Sequence, residues 1–420
     1  MAPALLQHPL LDGVAPAALA AAEGTPLHVY SAPAIRERLR GLQRALDGLD
    51  ALVCYAVKAN SNQAVLALMA AEGAGADIVS GGELWRSLRA GIPADRIVFS
   101  GVGKSAGEIV QGLDAGVARF NVESRDELEL LQAIAAQRGT TARAAVRINP
   151  DVDALTHAKI STGKAENKFG VSIAEARTWF EAQAAWPHVR LDGLHMHIGS
   201  QLLDMAPIRQ ALQRLAAFWR ELEAAGHRLA SIDVGGGLGV RYREGEQPLD
   251  PVDYVAEIRA ALQGFQGRIV LEPGRYLVAE AGVLLTRVLR VKQGEQRNFL
   301  VLDAAMNDLL RPSLYDAWHD ILRLGDNGGR EAVAYDVVGP VCETGDTFAV
   351  GRPLPRCEAG DLVAIGATGA YGASMASTYN SRPLAAEVLV DGGRYAVVRR
   401  RQTYDEMIAG EQPAGDWRTP

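Results

Sequence analysis

Lys58, in the run Tyr55-Ala56-Val57-Lys58-Ala59-Asn60, closes an apolar stretch. A lysine there is costly to bury as an ammonium, and a desolvated amine is nucleophilic toward a carbonyl carbon. It could form a Schiff base, or its head could snorkel to solvent while the stem packs. The run Asp233-Val234-Gly235-Gly236-Gly237-Leu238-Gly239 offers consecutive bare backbone N–H groups that can wrap an anion, a phosphate in particular. Its plainer reading is a tight turn. In Glu272-Pro273-Gly274-Arg275 the arginine could reinforce such an anion, while the glutamate could keep a ring nitrogen protonated. Alternatively the two charges simply pair at the surface.

His195-Met196-His197-Ile198-Gly199-Ser200-Gln201 places two histidines on one face of a strand. That spacing can ligate a metal, but no third ligand or H-E-x-x-H context accompanies it, so no metal is expected. The pair reads either as hydrogen-bonded core histidines or as an imidazole stacked on a flat ring. Cys342, followed by Glu343-Thr344-Gly345-Asp346, stands beside acidic residues at a strand-to-loop transition, whereas Cys54 and Cys357 read as small buried hydrophobes. Arg311 and Tyr315, four residues apart, could together hold a carboxylate.

These residues need elements to position them. Short β-branched or apolar runs alternate with amphipathic helical stretches such as Ala64–Ala71, Gly82–Ala90, Asp126–Arg138 and Pro207–Ala225. The apolar runs are Leu52–Val57, Ala76–Val79, Ile97–Phe99, Arg119–Val122, Ala144–Ile148, Val189–Met196, Leu229–Val234 and Arg268–Leu271. Eight such units predict a parallel (β/α)8 barrel over residues 32–276. The chemistry-bearing residues then fall at the C-terminal ends of strands, where barrel sites form: Lys58, Asp77, Arg147, the histidines, the glycine run and Glu272.

Beyond Arg275 the texture changes to Val283–Val291, Arg297–Leu302, Ala332–Val338, Leu362–Ile365, Ala385–Leu389 and Tyr395–Arg399, with turns such as Asp391-Gly392-Gly393. This predicts an antiparallel β domain comprising residues 1–31 and 277–420, joined by the early strand Leu27–Tyr30.

The net charge of -7 and pI near 5.7 argue against a nucleic-acid partner. Three cysteines without C-x-x-C spacing argue against a disulfide scaffold and suit a reducing compartment. The Ala-rich N-terminus has no basic n-region, and no run of about 18 uncharged apolar residues occurs. No membrane association is expected, and the cytoplasm is the default location.

In order along the chain, Tyr55–Asn60, Asp77–Glu83, Thr162–Gly170, His195–Gln201, Gly235–Gly239, Glu272–Arg275, Arg311–Tyr315, Cys342–Asp346 and Gly369–Ala373 match a known set. Through them the chain resembles the fold-type III pyridoxal-5'-phosphate (PLP) dependent decarboxylases, the ornithine, diaminopimelate and arginine group, and looks most like its diaminopimelate branch. The resemblance implies that Lys58 carries PLP, that His197 stacks on its ring and that Glu272 holds the ring nitrogen protonated. It implies a phosphate site of Ser200, Gly236, Gly237, Gly274, Arg275 and Tyr371, with Asp77 and Arg147 nearby. Arg275, Arg311, Tyr315, Glu343 and Tyr371 would contact an amino-acid substrate, and Cys342 would return a proton to Cα. Cys342 and Glu343 would reach the opposite subunit's cofactor, making a homodimer obligatory.

The implied reaction is decarboxylation of meso-2,6-diaminopimelate to L-lysine and CO2, the last step of lysine biosynthesis. The alternatives are a paralogous decarboxylase for another amino acid, a racemase of the same fold, or a catalytically inactive regulatory homologue. Racemases of this fold usually set an arginine against the ring nitrogen, so Glu272 speaks against them.

Overall fold

The computed structural model describes residues 11–153, 168–415 and 417–418. The chain divides into two compact units, one of Ala32–Ala281 with Gly369–Ser374, the other of Met1–Ser31, Gly282–Thr368 and Met375–Pro420.

In the first unit, eight strands run parallel: Ala51–Ala56, Gly75–Ile78, Ile97–Phe99, Arg119–Val122, Ala142–Asn149, Val189–His195, Ser231–Asp233 and Arg268–Leu271. Each pairs with its sequence neighbour, and the eighth pairs with the first, Val270 facing Leu52, so the sheet closes without an edge. The barrel expected from the alternating pattern is present. A two-residue strand, Val171–Ser172, adds to the end of the fifth.

Local sequence explains why helices follow these strands. Ser80, Ser105, Ser124 and Ser172 each accept the N–H of a glutamate three residues on, and at Ser105 the Glu108 carboxylate completes a capping box. Each such cap contributes about 1 kcal/mol and sets where the helix begins. Inside the barrel the apolar plug is small: Cys54, Val98 and Val270, with Leu52 against them. Polar side chains occupy the strand ends above it. The first strand stops one residue earlier than its apolar run suggests. The chain turns through a short 3-10 segment, Val57–Ala59, which carries Lys58 at the strand end.

The second unit is a nine-stranded sheet, mostly antiparallel. Leu27–Ser31, buried at every position, lies between Gly282–Gln293 and Ala386–Asp391, as the expected joining strand. The antiparallel domain expected from the sequence is present, with two parallel pairings inside it: Leu27–Ser31 runs parallel to Ala386–Asp391, and Asn298–Leu302 runs parallel to Ala332–Val338. Both partners are distant in sequence, and only tight hairpins oblige strands to alternate direction. The strands Ile321–Arg323 and Thr347–Pro355 were not marked by the sequence pattern. Thr347–Pro355 contains Gly351 and two prolines, which dilute a strand signal. Two apolar clusters, one around Leu300, Tyr335 and Ile365 and one around Leu27, Val283 and Val388, form its core.

Candidate active site

The mouth of the barrel collects the strand-end residues of the first unit. Lys58 Nζ donates to Asp77 Oδ2 at 2.7 Å. Its partial desolvation opposes the ammonium, but Asp77, Tyr371 and Glu272 outweigh it, and the Lys58 pKa is raised. Asp77 is itself pushed above the usual carboxylate range, by burial first and then by the Glu272 charge. Beside Lys58, Gly274 packs against Ala56 and Ala59, where an added Cβ would sit 3.0 Å from each of their methyls. Tyr371 N–H donates to Ala59 O at 2.8 Å, and Tyr371 adopts φ +57°, a strained left-handed conformation held by this packing.

The glycine run knits the seventh and eighth strand ends together. Glu272 N–H donates to Gly235 O at 2.8 Å, and Gly235 N–H donates to Asp233 Oδ1 at 2.8 Å. A Cβ on Gly236 would collide with the Glu272 carbonyl oxygen, and one on Gly237, at φ +116°, would lie 2.8 Å from Gly199 O. Only bare backbone fits there. Facing the run, the Arg275 guanidinium takes its direction from three side chains. Its Nε and Nη2 donate to Ser200 Oγ at 3.2 and 3.1 Å, its Nη1 donates to Tyr242 Oη at 2.7 Å, and its carbon lies 4.9 Å from the Tyr371 ring centre.

Glu272 and Arg275 do not pair with each other; both are buried and turn to different partners. Glu272 Oε2 faces His195 Nε2 at 3.1 Å, and Oε1 accepts from Ser100 Oγ and Asn121 Nδ2, each at 3.3 Å. Burial alone would raise Glu272, but His195 and Lys58 override it and hold the carboxyl well below the usual range. The two histidines therefore split. His195 belongs to Glu272, whereas His197 Nδ1 accepts the Gly236 N–H at 3.2 Å. Burial, followed by the Arg147 and Lys58 charges, lowers His197 to about 3, so its ring is neutral. Arg147 donates to Glu123 Oε1 at 2.9 Å and lies over the Phe169 ring at 4.7 Å.

The fold also brings Asp233 and Glu272 to His195, one nitrogen or oxygen atom of each side chain lying within 4.8 Å of the other two. The histidine pair alone did not reveal this grouping. Ser100, Asn121, Asp233 and Tyr242 had no role in the sequence reading. Their signal was present but faint: Ser100 follows an apolar strand, Asn121 is a polar residue inside the strand Arg119–Val122, and Asp233 opens the glycine run.

The remaining residues lie in the second unit. Arg311 opens a short helix, Arg311–Tyr315, and its Nη1 contacts His319 Nε2 at 2.8 Å. His319 Nδ1 donates to Gly366 O at 2.7 Å, which leaves Nε2 as acceptor and aims the guanidinium. Cys342 is an exposed free thiol, and its backbone N–H donates to Asn380 Oδ1 at 3.0 Å. Glu343 Oε2 accepts from Tyr379 Oη at 2.9 Å. Cys54 and Cys357 are buried, as expected. Of the matched Thr162–Gly170 run, residues 162–167 lie outside the described residues.

An amine, an ionised buried carboxylate and an anion cradle that tolerates no Cβ at one barrel mouth fit a phosphorylated pyridine aldehyde. Residues 33–279 match the family model described as pyridoxal-dependent decarboxylase, pyridoxal binding domain. The chain belongs to the pyridoxal-dependent decarboxylases. Within them it groups with the diaminopimelate decarboxylases. It is 51% identical to the diaminopimelate decarboxylase of Pseudomonas fluorescens, over 95% of this chain and 96% of that one. It is 49% identical to the enzyme of Zymomonas mobilis, over 94% of each. The crystal structure of diaminopimelate decarboxylase from Helicobacter pylori complexed with L-lysine superposes with a TM-score of 0.91 at 45% identity, covering 94% of this decarboxylase and 98% of that chain. Among the described residues of the decarboxylase, no helix is long and apolar enough to cross a membrane.

Proposed function

We propose that this decarboxylase removes CO2 from the D-configured α-centre of meso-2,6-diaminopimelate and releases L-lysine. The observation that carries the chemistry is Glu272, a buried carboxylate kept ionised at the same barrel mouth as Lys58 and the Arg275–glycine cradle. The substrate follows the relatives, which are diaminopimelate decarboxylases at about half identity over nearly the full chain.

Lys58 would hold PLP covalently. Its ammonium must first lose a proton from Nζ, and Asp77 Oδ2 at 2.7 Å is the adjacent acceptor. Arg275, Ser200, Gly236, Gly237, Gly274 and Tyr371 would hold the phosphate, whose charge the guanidinium and the backbone N–H groups complement. Glu272 would keep the ring nitrogen protonated, and the neutral His197 ring would lie against a cationic ring without repelling it. When bound, PLP supplies the electron sink for the charge left at Cα when CO2 departs. Arg147 and Glu123 would brace the wall beside His197.

Cys342 would donate the proton that replaces CO2. Glu343, directed by Tyr379, would meet the distal ammonium of the substrate, and Arg311 with Tyr315 its distal carboxylate. Arg275 and Tyr371 would also touch substrate. Residues 32–276 would form the cofactor domain, and residues 1–31 with 277–420 the domain supplying Arg311, Tyr315, Cys342 and Glu343. The protein would act as a cytoplasmic homodimer, with Cys342 and Glu343 serving the neighbouring subunit's site.

The deciding experiment is CO2 release from purified protein with added PLP. Meso-diaminopimelate should be turned over far faster than ornithine, lysine or arginine. A ranking headed by any of the other three would assign the chain to a paralogous activity.

A further inference from the structure

His195, Asp233 and Glu272 come from the ends of the sixth, seventh and eighth strands and are all buried. Two carboxyls this close in the interior do not both ionise. Which of them holds the charge depends on their donors. Asp233 accepts one backbone N–H, from Gly235, on Oδ1, and its Oδ2 has no partner among the described residues. Glu272 receives Ser100 and Asn121 at 3.3 Å on one oxygen and His195 at 3.1 Å on the other. Asn121 Nδ2 also donates to Ser100 Oγ at 3.0 Å, so its two amide hydrogens divide between Ser100 and Glu272. Among the described residues His195 makes the shortest contact to Glu272 and is the one partner on Oε2. The ring is 1% exposed, and its Nδ1 has no partner among the described residues, so the bond to Glu272 alone gives it a direction.

We propose that His195 is a positioning residue whose Nε2–H places the negative charge on Glu272 and leaves the shared proton on Asp233. The inference rests on the reading of Glu272 as the partner of the cofactor ring nitrogen. Charged neighbours act on both carboxyls. Lys58 joins His195 in lowering Glu272, while burial, the Glu272 charge and Asp77 push Asp233 well above the usual range. Lys58 is 43% exposed and paired with Asp77, so solvent weakens its effect. The buried ring, in contact, is the group that discriminates between the two acids. A carboxyl that held the proton could not keep a ring nitrogen protonated, so His195 would act on the cofactor at one remove.

The experiment uses the cofactor-free protein, so it does not depend on turnover. Infrared spectroscopy should show a protonated buried carboxyl that Asp233→Asn removes. In a His195→Phe background the band should instead be removed by Glu272→Gln, while His195→Gln, which keeps an N–H donor, should retain the wild-type assignment. PLP affinity should fall roughly 10- to 100-fold in His195→Phe and much less in His195→Gln, the range of one hydrogen bond to a charged group. A band still removed by Asp233→Asn in the His195→Phe protein would overturn the proposal. Nitrogen-15 NMR of the wild type locates the imidazole proton without relying on any variant to fold. A proton on His195 Nε2 supports the proposal, and one on Nδ1 with a bare Nε2 overturns it. Wild-type protein that fails to bind PLP would instead end the cofactor reading, leaving the carboxyl assignment standing on its own spectra.

Discussion

Lys58 Nζ lies 2.7 Å from Asp77 Oδ2, a 43% exposed ammonium against a carboxylate with no exposure. The pair stores the amine as its unreactive conjugate acid until a proton is passed on. Borohydride reduction of the PLP-loaded protein should leave a pyridoxyl adduct on Lys58 by mass spectrometry, and Lys58→Ala should carry none. In Asp77→Asn the ammonium loses its closest counter-charge, so its pKa falls. The pH midpoint of cofactor attachment should then move down by about one unit or more. An unmoved midpoint would show that Asp77 does not govern the amine.

Arg275 is held by Ser200 and Tyr242 before any ligand arrives. Arg275→Ala should weaken PLP roughly 10- to 100-fold while leaving pyridoxal, which lacks the phosphate, almost unaffected. Parallel titrations of the two compounds check this. Equal losses for both would place Arg275 elsewhere than at the phosphate.

Gly236 packs its Cα against the Glu272 backbone, where no Cβ fits. Gly236→Ala must part the seventh and eighth strand ends, at about 1–3 kcal/mol of stability. PLP uptake should fall with it. A variant with normal thermal stability and normal PLP affinity would sink the cradle as described.

Glu343 is the carboxylate assigned to the distal ammonium of the substrate, and Tyr379 directs it. Glu343→Gln should lower kcat/KM for meso-diaminopimelate by roughly 10- to 100-fold, with the visible absorbance of bound cofactor unchanged. Tyr379→Phe should have a smaller effect in the same direction. Steady-state kinetics with unaltered kcat/KM for Glu343→Gln would remove it from the substrate site.

His28, 1% exposed in the second unit, is lowered to about 4 by burial, against which the Glu387 charge is the main opposing effect. Below its ordinary pKa of about 6.5 the unfolded chain binds a proton there that the folded chain refuses, so stability is lost as pH falls toward 4. Relative to His28→Leu, the wild type should lose about 3 kcal/mol between pH 7 and pH 4 in urea unfolding. A constant difference across that range would mean that His28 is not held neutral.

Much of the barrel was legible because its signals are local. Ile97–Phe99, Arg119–Val122 and Arg268–Leu271 lie within one residue of where composition alone put them, and serine caps begin the helices between strands. Lys58, the glycine run and Glu272 stood out because a lysine, three glycines or a glutamate at the end of an apolar strand is locally anomalous. The β domain was less clear: strand direction there depends on partners far along the chain, as with Asn298–Leu302 beside Ala332–Val338.

The residue types that can hold an amine, a phosphate and a ring nitrogen, and the order in which strand ends present them, were determined by the amino-acid sequence itself. Which charges meet was decided only by tertiary structure. Glu272 stands three residues from Arg275, yet it turns to His195, 77 residues away, and to Asn121, 151 away. Arg311 likewise meets His319 before any substrate. Barrel closure brings distant strand ends into one dry space, and there burial leaves each charge only the partners that the fold supplies.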